Sequence, residues 1–321
     1  MSIIVKKFKK EDKRWDAFID HSNNGTLFHR RKFLNYHPSD RFSDHSLIFE
    51  KKGHIIGLLP GIIKKEKNKN ILISHPGASV GSLVILEQLS FSDSLAIVKE
   101  LSKYAKLHNI DSIRLTQPPI IYEKTTSHYL DFAFLKEGYS YTRRELSSYI
   151  NIYDDIENNV SKFKSSHRTA FRKAKKLGIK IKLSEDYKTF YTILKNNLSI
   201  RHNVCPTHTL LELQKLKEIF PNNIHLFSAY LKNEMIAGVV SFILNSKVML
   251  AFYISHKKGM EPYRPINLLI YEIIQWSIDK QIEILDFGVF TVNEKPNMGL
   301  ARFKENFGAS GVLRNTLELK L

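Results

Sequence analysis

Residues 46–75 align onto residues 227–256 without a gap at a shift of 181, and this internal repeat restricts the chain to folds that can be used twice. Lys51, Ile55, Gly57, Ile62, Ile73, Ser74 and His75 recur as Lys232, Ile236, Gly238, Ile243, Ile254, Ser255 and His256. In each copy an apolar run enters a short polar turn, returns through a segment centred on Gly57 or Gly238, and is followed by a third run ending in ISH. Apolar runs joined by polar turns predict hairpins. A helix and a further strand follow both times, DSLAIVKELSKYAKLHNIDSIRL in the first half and NLLIYEIIQWSIDKQIEILDF in the second, with a loop absorbing the difference in spacing. The apolar strand in IEILDF is expected to be buried on both faces. FLKEGY at 134–139 and RFKENFG at 302–308 close the copies alike. The order predicts an internally duplicated α/β domain with mixed, largely antiparallel sheets flanked by helices. The link falls near NIYDDIENN, giving domains at 1–152 and 153–321, and the expected ligand site lies in the second domain and the cleft between copies.

Two domains need two cores, and 321 residues at 43% hydrophobic supply them. The opening MSIIVKKFKKEDKRW lacks the apolar stretch of a signal peptide, and MIAGVVSFIL is too short to cross a bilayer, so a cytoplasmic location is expected, which includes the inner face of the membrane. The single cysteine, Cys205, excludes an internal disulfide and a cysteine-based zinc cluster, and no metal is expected. The net charge of +17 favours polyanionic partners, among them tRNA, nucleotide phosphates and an anionic membrane surface.

That charge clusters in SKFKSSHRTAFRKAKKLGIKIKL, inside a stretch from 158 to 184 without an acidic residue. Phe163, Ala170, Ala174 and Leu177 recur at helical spacing, which puts Lys164, Arg168, Arg172 and Lys175 on another face; Gly178 is placed to end the helix, and IKIKL alternates as a strand. The one-sided stripe predicts a phosphate-contacting helix, with Arg168, Arg172 and Lys175 toward a donor; a solvated helix face is the alternative. Asp286, ending the apolar strand in LDFG, is suited to orient a neighbour or accept a proton, or else to cap the following turn. On charge alone, a non-catalytic nucleic-acid-binding protein fits equally.

GTLFHRRKFLNYH, HRTAFRKAKKLGIKI, IRHNV, NLLIYEIIQWSIDKQIEILDFG and LARFKENFG, in this order, resemble the Fem-type branch of the GNAT acyltransferase superfamily over nearly the whole chain. It is similar to the peptidoglycan bridge-forming aminoacyltransferases and their polysaccharide-cluster relatives. The resemblance implies two tandem GNAT-like domains. It implies an N-acyltransferase or aminoacyltransferase that moves its group from acyl-CoA or aminoacyl-tRNA to an amine of a phosphate-bearing cell-envelope precursor: an amino sugar, a sugar nucleotide or a peptidoglycan peptide. By the same resemblance Arg201 takes the place of a substrate-phosphate arginine, whose planar fork suits a diphosphate. His37 stands where the family has a phosphate-binding lysine, and Phe33 replaces the tryptophan before it. Lys304, with Phe303 as a substrate contact and Phe307 behind it, matches a lysine near the transferred carbonyl or a donor phosphate. GNAT proteins that hold acyl-CoA usually present a glycine-rich turn before a helix. Here ISHKKGMEPYRPIN has one glycine, Gly259, and two prolines, which leaves Lys257, Lys258 and Arg264 to hold phosphates by charge. His75 and His256, repeats of one another, read as fold determinants, with a catalytic base as the alternative.

Overall fold

The computed structural model describes residues 2–38, 40–202 and 206–321, the side chains of 199–202 not among them. Two units emerge, Met1–Leu146 joined by Val312–Leu321, and Ser147–Gly311. The first runs through β1 (Ile4–Lys7), α1 (Arg14–His21), α2 (Arg31–Leu34), β2 (Leu47–Lys51), β3 (His54–Leu59), β4 (Gly61–Glu66), β5 (Lys69–Ser74), β6 (Val84–Ile85), α3 (Phe91–Leu107), β7 (Ser112–Thr116), α4 (Tyr129–Lys136) and β8 (Ser140–Asn151), whose last residues open the second unit. The second continues through α5 (Ile156–Ser161), α6 (Ser165–Lys176), β9 (Lys180–Leu183), α7 (Tyr187–His202), α8 (Leu210–Ile219), β10 (Ile224–Leu231), β11 (Glu234–Ile243), β12 (Val248–His256), α9 (Pro265–Asp279), β13 (Ile284–Val289), β14 (Thr291–Val292), β15 (Lys295–Pro296) and α10 (Met298–Glu305). The last strand, β16 (Ser310–Lys320), returns to the first unit.

That return differs from the expected boundary, which kept the whole tail with the second domain. Thr316 faces Thr116 and Leu317 faces Leu115 across the antiparallel β16–β7 ladder, and both Leu317 and Leu319 are buried in the first core. Burial of those two leucines is what draws the strand there.

The first hairpin repeats, at a shift of 180, but the ISH ends of the two copies are not equivalent: Ile73 pairs with Ile62, whereas Ile254 pairs with Val239 and Ile243 with Met249. Across the first hairpin the equivalent positions lie 180 apart: the turn at Lys52 matches that at Lys232, with φ of 54° and 55°, and the pair Phe49–Gly57 matches Ala229–Ala237. Each hairpin also skips a residue opposite its partner strand, Ile56 in one and Ile236 in the other. The copies then diverge. β11 is continuous, whereas Pro60, which has no N–H to give a ladder, breaks the equivalent strand into β3 and β4. β3 joins a sheet ordered β1-β2-β3-β6, and β4 joins β5, β7 and β16.

In the second unit the sheet order from the end of β8 is β13-β12-β11-β10-β9. Along β11, Val239 enters the core built on α9, while its neighbour Gly238 faces Phe190 of α7. The period-two alternation of a strand thus gives the two helices opposite faces of the sheet. α9 starts on Pro265, whose fixed φ suits a first helical position, and is apolar nearly all round because it is buried between the sheet and α6.

Candidate active site

β12 and β13 pair in parallel only from Val248 opposite Ile284 to Leu250 opposite Asp286, although β12 runs on to His256. Among the described residues no strand pairs with the β13 side of Ala251–His256. In the first unit the matching pair holds to Ile73 and Arg114, beside the last residue of β5, and there the chain closes the gap itself: the Gly81 N–H donates to Thr116 O at 2.7 Å and Ser74 Oγ accepts from the Thr116 N–H at 2.9 Å. Only the second unit leaves its parallel pair open at the carboxyl end.

The far wall of that opening is the end of β13, and two buried charged residues fix it. Asp286, fully buried, accepts from the Ser147 hydroxyl at 2.7 Å and from the Gly288 N–H at 2.6 Å. Gly288 has φ of 71°, a left-handed conformation that glycine adopts without a Cβ clash. Lys304, 1% exposed, donates from Nζ to Gly288 O at 2.6 Å and to Val289 O at 3.0 Å. The Gly288 residue is gripped at its N–H by Asp286 and at its carbonyl by Lys304. Lys304 reaches there because α10 starts on the Asn297 cap, whose side chain accepts from the Leu300 N–H at 3.0 Å. A cation lying in solvent, the simplest alternative for this lysine, does not occur.

Near the start of α9 stand Arg264 and a residue that sequence reasoning passed over, His167. Arg264 is the N-cap, in a left-handed conformation at φ of 58°. His167 on α6 meets the rings of Phe303 at 5.7 Å and Phe307 at 4.5 Å, and its Nε2 is buried without a hydrogen-bond partner. Burial, and next the Arg264 charge, hold this imidazole below its ordinary pKa, so it is neutral at pH 7. The signal was present: His167 lies four residues after Phe163 and four before Phe171, on the apolar face of α6.

A cavity of about 640 Å³ lies between α7 and the end of β12, lined among others by Asn196, Glu234, His256, Lys257, Lys258 and Glu261. Lys257 pairs with Glu234, and His256 Nδ1 lies 3.8 Å from Glu261. The loop 257–264 therefore brings Lys257 and Lys258 to this cavity and Arg264 to the helix start.

The other expected site residues are not gathered there. Arg168 donates to Phe163 O at 2.9 Å and Ser161 O at 3.3 Å, and Lys175 sits 3.4 Å from Glu272 and 4.0 Å over Tyr271, so both serve the packing of α6. Arg172 is exposed, 5.7 Å over Phe171. His37 is 8% exposed, donates from Nε2 to Gly77 O at 3.2 Å, and lies parallel to His75 at 5.9 Å between ring centroids, while Phe33 is core. Arg201 falls in the last turn of α7; its side chain and Cys205 lie outside the described residues. Among the described residues no helix is long and apolar enough to cross a membrane.

Residues 161–305 match the family described as an acetyltransferase (GNAT) domain. No curated protein matches the sequence. Among solved structures, FemX is 14% identical over 98% of this chain and 97% of its own, at a TM-score of 0.75. L-PGS from Bacillus licheniformis is 12% identical over 97% and 92%, at 0.61. A tandem GNAT protein from the clavulanic acid biosynthesis pathway is 7% identical over 99% and 98%, at 0.55. At these identities the likeness is one of fold: two GNAT-like α/β domains in tandem.

Proposed function

We propose, from a chain with the Fem-type tandem GNAT fold and a GNAT transferase domain over residues 161–305, that the open end of the β12–β13 pair receives an acyl donor, whose carbonyl is attacked directly by an amine of a phosphate-bearing cell-envelope precursor. The observation that carries this reading is the early parting of those strands. The unpaired edge of Ala251–His256 offers N–H and C=O groups to an extended, amide-bearing arm, which would add to the sheet as a short strand. Arg264 and Lys258 supply charge for the donor phosphates, whether of acyl-CoA or of aminoacyl-tRNA. The acceptor amine enters through the cavity beside His256 and Glu261. As its nitrogen bonds to the acyl carbon the donor's thioester or ester bond breaks, and the proton the amine releases passes to His256, beside Glu261, and on to the departing CoA sulfur or tRNA oxygen. Lys304 and Asp286 act as positioning residues: their bonds go to Gly288, Val289 and Ser147, and so they hold the wall of the opening.

Stabilisation of the native state by its ligands offers the test. Thermal melts with acyl-CoAs, sugar nucleotides and tRNA should each identify a binding substrate, and the stabilising donor and acceptor together should yield an N-acylated product by mass spectrometry. Equal stabilisation by tRNA and generic duplex DNA, with none by a small substrate and no product, would instead establish the non-catalytic nucleic-acid-binding protein.

A further inference from the structure

We infer that the outward face of α6, with the edge strand β9, is a docking surface for an anionic lipid bilayer. Between residues 158 and 184 the chain carries nine lysines and arginines and no acidic residue. Arg168 and Lys175 are occupied within the fold. Arg172, Lys173 and Lys176 remain on the exposed side of α6, and Lys180 and Lys182 are exposed on β9, which among the described residues pairs only with β10. None of Lys173, Lys176 and Lys180 meets an acidic side chain among the described residues. Lysines on an open strand also keep other strands from pairing, but that purpose does not call for three more cations on the neighbouring helix.

Two further features favour a bilayer over a nucleic acid. Leu177 and Leu183 are 41% and 53% exposed at the ends of α6 and β9. Apolar side chains set among cations gain from entering the acyl boundary of a membrane and gain nothing from a phosphate backbone. The aromatic residues of the segment that would stack on bases, Phe163 and Phe171, are 2% and 5% exposed, committed to the core. A second copy of the chain is a poor occupant, because each copy carries a net charge of +17.

Cosedimentation of the full chain with vesicles of phosphatidylcholine, with and without phosphatidylglycerol, decides the matter. Binding is expected only with the anionic lipid and should weaken with salt. The variant Lys173→Gln/Lys176→Gln/Lys180→Gln should lose on the order of 100-fold in partitioning, since each lysine near an anionic surface contributes roughly a factor of five. Leu177→Ser/Leu183→Ser keeps the charge and should also bind more weakly, at low and high salt alike. Unchanged melting curves for both variants would confirm that folding is intact. An unaltered partition of the lysine variant, or of the leucine variant, would overturn the proposal. So would absence of vesicle binding alongside duplex or tRNA binding that the lysine variant loses.

Discussion

Methionine in place of Lys304 removes the donor shared by Gly288 and Val289 while nearly filling the same volume. Gly288 and Val289 are half-buried, so each carbonyl left without its partner costs toward the low end of about 1–3 kcal/mol, and Lys304→Met should lower the urea unfolding free energy by roughly 2–3 kcal/mol. It should also lower kcat by about 10-fold or more, because a displaced wall misaligns the reacting groups. A large fall in kcat with unaltered stability would make Lys304 a direct contact to the reacting carbonyl instead. Asp286→Asn is the companion experiment. A carboxamide oxygen still accepts from Ser147 and Gly288, so stability should hold within about 1 kcal/mol and kcat within a few-fold; a loss of kcat on the order of 100-fold in a stable protein would identify Asp286 as a proton acceptor. At this scale the sequence marked individual residues without showing what they touch. The RFKENFG segment marked Lys304, but only the fold shows its ammonium tied to backbone carbonyls 15 and 16 residues earlier in the chain. The cation run on α6 drew attention to Arg168 and Lys175, and so away from His167, whose apolar-face spacing places it against Phe303 and Phe307.

Gly238 and Gly57 illustrate what was legible in the elements. Both stand mid-strand, where a glycine weakens packing unless something needs the space, and in each case a helix side chain takes it. A Cβ on Gly238 would lie 2.5 Å from the Phe190 ring, and one on Gly57 would lie 2.4 Å from Ile97 Cδ1. Gly238→Ala should therefore destabilise the protein by about 1–3 kcal/mol through overpacking against α7, read as a lower urea midpoint; a midpoint equal to wild type would mean that Phe190 moves aside freely. The repeat, the hairpins and the strand-helix-strand units were visible because apolar periodicity and turn residues are local properties. The break at Pro60, the 180-residue register and the return of β16 were not, since each depends on which strand is met in space. The skip at Ile56 and Ile236 falls at the same place in both copies, so the shift of 181 comes from identities such as Ile62 with Ile243 that the ladders do not make equivalent, and apolar alternation in LRNTLELK does not say that Leu317 will face Leu115.

The stability of the whole molecule in acid should follow from histidines buried neutral in the first unit. His29 is fully buried; its Nδ1 accepts from the Thr26 N–H at 3.0 Å and its Nε2 donates to Gly81 O at 3.1 Å, and burial pushes its pKa down to about 4. His75, 4% exposed, is also brought down to about 4, by burial first and the neighbouring His37 second. A depressed folded pKa means that the unfolded chain binds the proton first. Stability is then full above the ordinary histidine value near 6.5 and falls progressively as pH drops toward 4. At 1.36 kcal/mol per pKa unit the loss amounts to roughly 3 kcal/mol for each of these two histidines. A second source of acid sensitivity acts at the same time, since 13 histidines add to a net charge already at +17 and the molecule repels itself. Salt separates the two: it screens repulsion between surface charges but not the cost of charging a buried imidazole. Urea unfolding at pH 7 and pH 4.5, each at low and high salt, should show a destabilisation that high salt reduces but does not abolish. In His29→Gln, which keeps a donor and an acceptor on the side chain, the salt-resistant part should shrink by the share of His29, roughly 2–3 kcal/mol. If high salt removes the whole pH dependence in the wild-type chain, the buried histidines titrate normally and repulsion alone accounts for the acid response.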